Sequence, residues 1–359
     1  MTINFQDYLK TSAEEINLEL DKFLEKWSRE VKLTNKNLPL VNQYFIDACE
    51  GGKRIRGVLV KLGYELATRL PTTDYCGRRK TEDGRQAILP IAVAYELFQT
   101  AILAHDDIVD LSPLRRGKPT IYKALGGDHY GVSQTICLGD IGFFLAYRLI
   151  SESKFGEKEK NLAVASFTDS MLKTALGEVL DIEIPHLKGE KIEKDALTIF
   201  KLKTAYYTLV GPLTLGAILG KGSKKLLEDI KDFGISLGIA FQIQDDILGV
   251  FGDVQTLGKS VTSDIEEDKL TLLIIYALKN AKKKQKEILG KLYGKKGINI
   301  SELGEIREVF KKTGALEYSQ KFEEKLVLKA KKVIMGMKIS TQHKSLLNQM
   351  ADFLVQRDK

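Results

Sequence analysis

The chain is poor in the residues that break helices, bind zinc or form disulfides. Its 359 residues include only 7 prolines, so long helices can run almost uninterrupted. Three cysteines, Cys49, Cys76 and Cys137, are too few for a disulfide framework, and no two stand at metal-ligand spacing. They read as thiols of a reducing compartment. Four histidines leave little material for a zinc site or a histidine-based triad. The first residues, MTINFQDYLKTSAEEINLELDKFL, mix acid, base and apolar side chains and lack the apolar stretch of a secretory signal. No window of about 18 apolar residues stands out, so no transmembrane helix is expected. Together these absences make a cytoplasmic location the expectation.

What is present is apolar and charged in balance. Hydrophobic residues make up 43% and charged residues 29%, enough for a large core and too charged for an integral membrane protein. The 55 Lys and Arg exceed the 48 Asp and Glu, for a net charge of +7. A basic balance points to nucleic acid, anionic lipid or a phosphorylated small molecule. The Lys-rich stretches 281–296 and 328–333 lack interleaved aromatics for base stacking. They read as solvated helix faces, with no nucleic acid partner and at most a peripheral membrane contact.

The hydrophobic pattern is helical throughout. In the first helix Ile16, Leu18, Leu20, Phe23, Leu24 and Trp27 form one stripe at three-to-four spacing. Similar patterns cover 55–70, 87–107, 133–153, 158–184, 194–220, 223–251, 268–293, 301–312, 314–337 and 342–356. Strand signals are nearly absent. The polar segment 71–86 reads as a mobile loop, and 111–120, with two prolines and a glycine, as another. No break is long enough for an interdomain linker. The expectation is an all-α fold over 1–359: a single bundle of roughly a dozen helices around a central cavity, with 1–40 as an N-terminal helical region.

Two acidic clusters interrupt this apolar sequence. His105-Asp106-Asp107-Ile108-Val109-Asp110 ends a long apolar helix, and Asp106 and Asp110, four apart, share one face. Gln242-Ile243-Gln244-Asp245-Asp246 ends a second. Carboxylates repel each other and the negative end of a helix, so such clusters are costly without a counter-ion. If the two helices are neighbours, the clusters face each other across one cavity and form a magnesium box, with phosphates as further ligands.

Basic elements complete the pattern. Gly51-Gly52-Lys53-Arg54-Ile55-Arg56 sets three cations at a helix start, where backbone N–H groups and the dipole favour anions. Arg115-Arg116-Gly117-Lys118 follows Asp110 closely, and arginine forks suit phosphate oxygens. Lys203-Thr204 lies within an apolar helix, and Lys259 and Lys269 flank the loop after the second cluster. The chemistry this supports is ionisation of an allylic diphosphate, with metal and cations stabilising the departing pyrophosphate. The double bond of a second diphosphate then attacks the carbocation, and a proton is lost.

On these residues the chain resembles the trans-isoprenyl diphosphate synthases, the polyprenyl synthetase family, from about residue 40 to the C-terminus. The motifs run in family order: GGKRIRG at 51–57, AYELFQTAILAHDDIVDLSPLRRGKPT at 94–120, LGD at 138–140, GEVLD at 177–181, KTAYY at 203–207, FQIQDDILGVFGD at 241–253, then GKSVTSD and DKLT. The resemblance implies an isoprenoid synthase-like fold and a prenyltransferase that joins an allylic diphosphate to isopentenyl diphosphate head to tail. It implies Asp106 and Asp110 as ligands for two Mg²⁺, supported by Asp107, and Asp245, assisted by Asp246, for a third. Arg115, Lys203 and Lys259 would contact the allylic diphosphate, with Lys269 as the basic residue after the second motif. Lys53, Arg56, Gln99 and Arg116 would hold isopentenyl diphosphate. Thr204, Tyr207 and Gln242 would line the reaction centre, with Asp181 near it. A homodimer is the usual assembly of the family.

Two positions depart from the family pattern. Gly249 ends the second motif where an aspartate is usual, which puts the third metal in question, although Asp253 follows closely. Glu178 stands where glutamine is more usual. Product length in the family is set along the helix below the first motif. Ala101 and Ile102, small or aliphatic where an aromatic would close the channel, leave it open, and Phe98 lies about one turn deeper. The expectation is a product of about twenty carbons or longer, as in a geranylgeranyl or polyprenyl diphosphate synthase. A terpene cyclase binds one diphosphate and has no use for the basic loop at 51–56. A non-catalytic subunit of a heteromeric synthase typically loses the first aspartate motif, which is kept here.

Overall fold

The structure, a computed structural model, describes residues 4–68, 79–187, 192–252 and 261–355. Cys76, the 71–78 part of the expected loop, Asp253 and Lys259 lie outside the described residues. Described elements are helical apart from one two-stranded ribbon. The chain forms two compact units, each built from three stretches of sequence. Unit 1 is 1–168, 211–228 and 338–346; unit 2 is 169–210, 229–337 and 347–359.

Unit 1 opens with α1 (Phe5–Thr34), capped by the Asn4 side chain, which accepts from the Asp7 amide at 2.8 Å. The stripe read from sequence is its buried face: Ile16, Leu20 and Leu24 are buried, while Leu18, off that face, is exposed. Then come α2 (Leu38–Cys49), α3 (Ile55–Thr68) and α4 (Arg79–Val109). The helical pattern expected from 87 begins earlier, so residues 79–86 belong to α4 rather than to a loop. Part of α4, Gly84–Val109, is long and apolar enough to cross a membrane, contrary to the sequence expectation. An 18-residue apolar window of that stretch is 72% buried inside the protein, as expected of a core helix. After α5 (Ile121–Ala124), α6 (His129–Ser151) packs closely on α4. A Cβ on Gly142 of α6 would stand 2.9 Å from Ala101 Cβ.

The ribbon pairs Leu114–Arg115 with Lys118–Pro119, antiparallel, inside the segment read as a loop. Its two-residue turn, Arg116-Gly117, has φ of 54° and 75°. Positive φ at both positions suits a tight hairpin turn, and it is strained for arginine.

α7 (Glu157–His186) belongs to unit 1 up to Thr168 and to unit 2 from Asp169. The single helix expected over 194–220 is three elements: α8 (Glu193–Ile199), a π-helix (Phe200–Val210) and α9 (Gly211–Leu219). α10 (Lys224–Phe251) matches its sequence pattern. The expected helix 268–293 is divided into Leu272–Asn280 and Lys283–Leu292. Within unit 2 one apolar cluster gathers Ile184, Ile199, Phe200, Ile239, Ile243 and Ile247. A second gathers Val250, Ile265, Leu273, Ile306 and Phe310. Both lie directly beneath the second aspartate motif and hold α10 in place.

Candidate active site

In unit 1 the first acidic cluster closes α4. The Asp110 amide still bonds the Asp106 carbonyl at 2.8 Å, so both aspartates remain on the helical path. Asp107 is the buried member, 4% exposed. The ribbon swings Arg115 back over the cluster: its guanidinium lies 3.1 Å from Asp106 Oδ2 and donates to Asp107 Oδ1 at 2.7 Å. Burial pushes the Asp107 carboxyl upward, and the Arg115 hydrogen bond and charge oppose this. Arg115 is thus a counter-ion of the first motif as the structure stands. His105, inside the same motif, places Nε2 3.8 Å from Asp140 and 3.1 Å from the Ile136 carbonyl oxygen.

The residues expected to hold isopentenyl diphosphate also come together. Arg56 donates to the Gln99 side chain. Arg116 reaches the Glu50 carbonyl at 2.8 Å and lies across Gly52, where an added Cβ would stand 3.0 Å from its guanidinium nitrogen. Gly52 has φ of 86°, so the glycine serves both the turn and the passage of Arg116. Lys53 lies in this loop between them. Arg54 has a different task. Only 6% exposed, it donates to Asn17 at 2.7 Å and to the Cys49 carbonyl at 2.7 Å, and sits 3.5 Å from Glu96. Glu96 in turn accepts from the Gly57 amide at 2.8 Å. Arg54 and Glu96 fix the basic loop rather than face a ligand. Sequence alone gives no sign of this, because a buried arginine and a solvated one read alike.

In unit 2 the π-helix carries Lys203, Thr204 and Tyr207. A π-helix is rare and often marks a functional site. Thr204 donates to Gln242 Oε1, and Gln242 Nε2 donates to Asp246 Oδ1 at 2.7 Å, so three expected residues form one hydrogen-bonded line. Tyr207 is buried, 7% exposed. Lys203 Nζ lies 2.8 Å from Asp181 Oδ2 and 2.8 Å from Glu178 Oε2. Asp246 Oδ2 is buried and has no hydrogen-bond partner among the described residues. Burial, then the nearby Asp264, pushes the Asp246 carboxyl well above the usual carboxylate range, while the Gln242 bond opposes this. Asp245 and Asp181 add further negative potential. Lys269 is 2.9 Å from Glu267 and 3.8 Å from Asp264.

Asp264 ends the GKSVTSD motif, and nothing in its local sequence marks it as a site residue. Its carboxylate fills the space beside Gly249, where an added Cβ would overlap Asp264 Oδ2. The signal for it was the missing side chain at 249. An orphaned buried carboxylate oxygen among three other carboxylates fits a divalent cation. Among the described residues no three such side chains already enclose a metal position. Magnesium is held by one or two carboxylates with phosphate oxygens and water, so the donor set still fits.

A helical protein with twin aspartates on two helices, the first pair beneath an arginine and the second holding an orphaned buried carboxylate oxygen, belongs to the class that binds diphosphates through metal ions. Comparison with known proteins narrows this. Residues 37–311 match the polyprenyl synthetase family model. A short chain isoprenyl diphosphate synthase of Methanothermobacter thermautotrophicus is 32% identical over 91% of this chain and 92% of its own. A geranylgeranyl diphosphate synthase of Sulfolobus acidocaldarius is 32% identical over 77% of each. A crystal structure of geranylgeranyl pyrophosphate synthase from Corynebacterium glutamicum, complexed with isoprenyl diphosphate and magnesium, superimposes with a TM-score of 0.86. It shares 26% identity, over 99% of this chain and 100% of that one. The chain belongs to the polyprenyl synthetase family.

Proposed function

We propose that this prenyltransferase joins isopentenyl diphosphate to an allylic diphosphate and makes an all-trans product of about twenty carbons or longer. The observation that carries the reading is the grouping in unit 1. Asp106 and Asp107 lie under the Arg115 guanidinium, and Arg56, Gln99 and Arg116 meet around the loop at 51–56. Acid beside base in this arrangement supplies a metal-assisted place for one diphosphate and a cation-rich place for another.

In unit 1 Asp106, Asp107 and Asp110, and in unit 2 Asp245 and Asp246, are the residues that would hold magnesium, three ions in our reading. When bound, magnesium supplies Lewis-acid charge to the leaving pyrophosphate. The chain's own contributions are electrostatic. In unit 1, Arg115 offers its guanidinium to a diphosphate, and Lys53, Arg56, Gln99 and Arg116 orient the second substrate; in unit 2, Lys203 offers its ammonium to a diphosphate. The Thr204–Gln242 pair and buried Tyr207 present hydroxyl and amide dipoles to the carbocation and keep water from it. No protein nucleophile enters.

A homodimer completes the reading. Leu172, Leu176 and Val179 of α7 are 60%, 59% and 60% exposed at one face's spacing, an apolar stripe suited to a second copy. Mass spectrometry of products from dimethylallyl, geranyl and farnesyl diphosphates, each with isopentenyl diphosphate and Mg²⁺, tests the proposal. Extension to about twenty carbons or beyond is expected. A dominant fifteen-carbon product would refute the product length, and absence of condensation would refute the function.

A further inference from the structure

We propose that Glu178 is a positioning residue: it completes a two-carboxylate clamp on the Lys203 ammonium and thereby weakens diphosphate binding at that lysine. The inference deepens the function proposed above and rests on it for the role of Lys203.

The geometry is symmetrical. Lys203 Nζ stands 2.8 Å from Glu178 Oε2 and 2.8 Å from Asp181 Oδ2. The two acids are three residues apart on α7, so they share one helical face. Gly177 makes the approach possible, because a Cβ there would overlap the Lys203 backbone nitrogen. The α7 backbone therefore lies against the π-helix at Lys203, and the next residues of GEVLD grip its side chain.

The charge balance has a direction. The Lys203 ammonium is shared by two carboxylates, each in ionic contact with it. The side chains are 23%, 25% and 13% exposed for Lys203, Glu178 and Asp181, so solvent screens the group only in part. A diphosphate arriving at Lys203 must compete with two anions already bonded to it. A glutamine at 178 would leave Asp181 to orient the lysine and would remove one of the two competing anions. Glu178 thus lowers affinity for substrate diphosphate and, by the same interaction, for the pyrophosphate that must leave.

The test compares wild type, Glu178→Gln and Glu178→Asp. Binding of inorganic pyrophosphate in the presence of Mg²⁺ is measured by titration calorimetry, and KM for the allylic diphosphate by steady-state kinetics. Glu178→Gln should bind pyrophosphate about five-fold tighter and show a KM lower by a similar factor. Glu178→Asp keeps the charge and should stay within about two-fold of wild type. A merely structural role would not tighten binding. Equal or weaker pyrophosphate binding by Glu178→Gln overturns the clamp, as does Glu178→Asp binding as tightly as Glu178→Gln. If wild type binds pyrophosphate but condenses no diphosphates, the proposed function falls while the clamp is still read from calorimetry. If it condenses them and Glu178→Gln gains nothing, the clamp alone falls.

Discussion

The Asp264 carboxylate occupies the space that a side chain at Gly249 would need. The relationship explains how the second motif ends in glycine without leaving a void. Asp264 is buried, 8% exposed, and its charge bears on Asp246. Restoring the usual aspartate should therefore harm the protein. Gly249→Asp should lose about 1–3 kcal/mol of stability from overpacking and gain a third buried carboxylate beside Asp246 and Asp264. Thermal melting and turnover check it: both should fall. Higher turnover in Gly249→Asp would show that the site lacks a carboxylate.

His343 gives a pH-dependent outcome. It is 2% exposed, meets Ser340 Oγ at 3.0 Å through Nδ1, and has no hydrogen-bond partner at Nε2 among the described residues. Burial pushes its pKa down from 6.5 to about 4. The unfolded chain therefore binds a proton that the folded chain refuses. Its contribution is fully present above about pH 6.5 and is lost as pH falls toward about 4, about 3 kcal/mol in all. Glu65 and Glu323, both pushed up to about 7 by burial, act in the opposite sense over much of this window. The histidine's part is thus read as a difference. Between pH 7 and 5, denaturant unfolding should lose less stability in His343→Leu than in wild type.

Phe98 and Ala101 separate two readings of product length. Phe98 is 4% exposed, with ring centroids of Phe143 and Phe167 at 5.3 and 5.4 Å. Phe98→Ala should cost about 3–5 kcal/mol and shift products to longer chains if this ring floors the channel. Unchanged product length with lowered melting would leave Phe98 as core packing. Ala101 is fully buried against Gly142 of α6, a glycine that Phe45 of α2 also crowds. Ala101→Phe should shorten the product, as the sequence implies, but also lower stability by about 1–3 kcal/mol. Product mass spectra beside melting curves check both.

Much of this molecule is written plainly in the sequence. Helices such as α1, α6 and α10 follow their apolar stripes to within a few residues, because burial of one face decides where they form. The π-helix at Phe200–Val210 is not legible, since Thr204–Val210 is buried on every side and offers no apolar stripe whose period could report the wider turn. The break near Ala281 has no proline or glycine to announce it. At the site, the motifs carry Thr204, Gln242 and Asp246, and the structure adds that they touch in that order. The tasks of Arg54 and Glu178 depend on burial and on partners far away in sequence, which no local pattern encodes.

The central claim is that the aspartates closing α4 drive condensation. Incorporation of labelled isopentenyl diphosphate by Asp106→Ala, with melting and circular dichroism confirming the helical fold, tests it most directly. The account predicts a rate lower by about 10²–10³ or more, as expected for removal of a preorganised electrostatic group. A folded Asp106→Ala variant that condenses at a near-normal rate would contradict it.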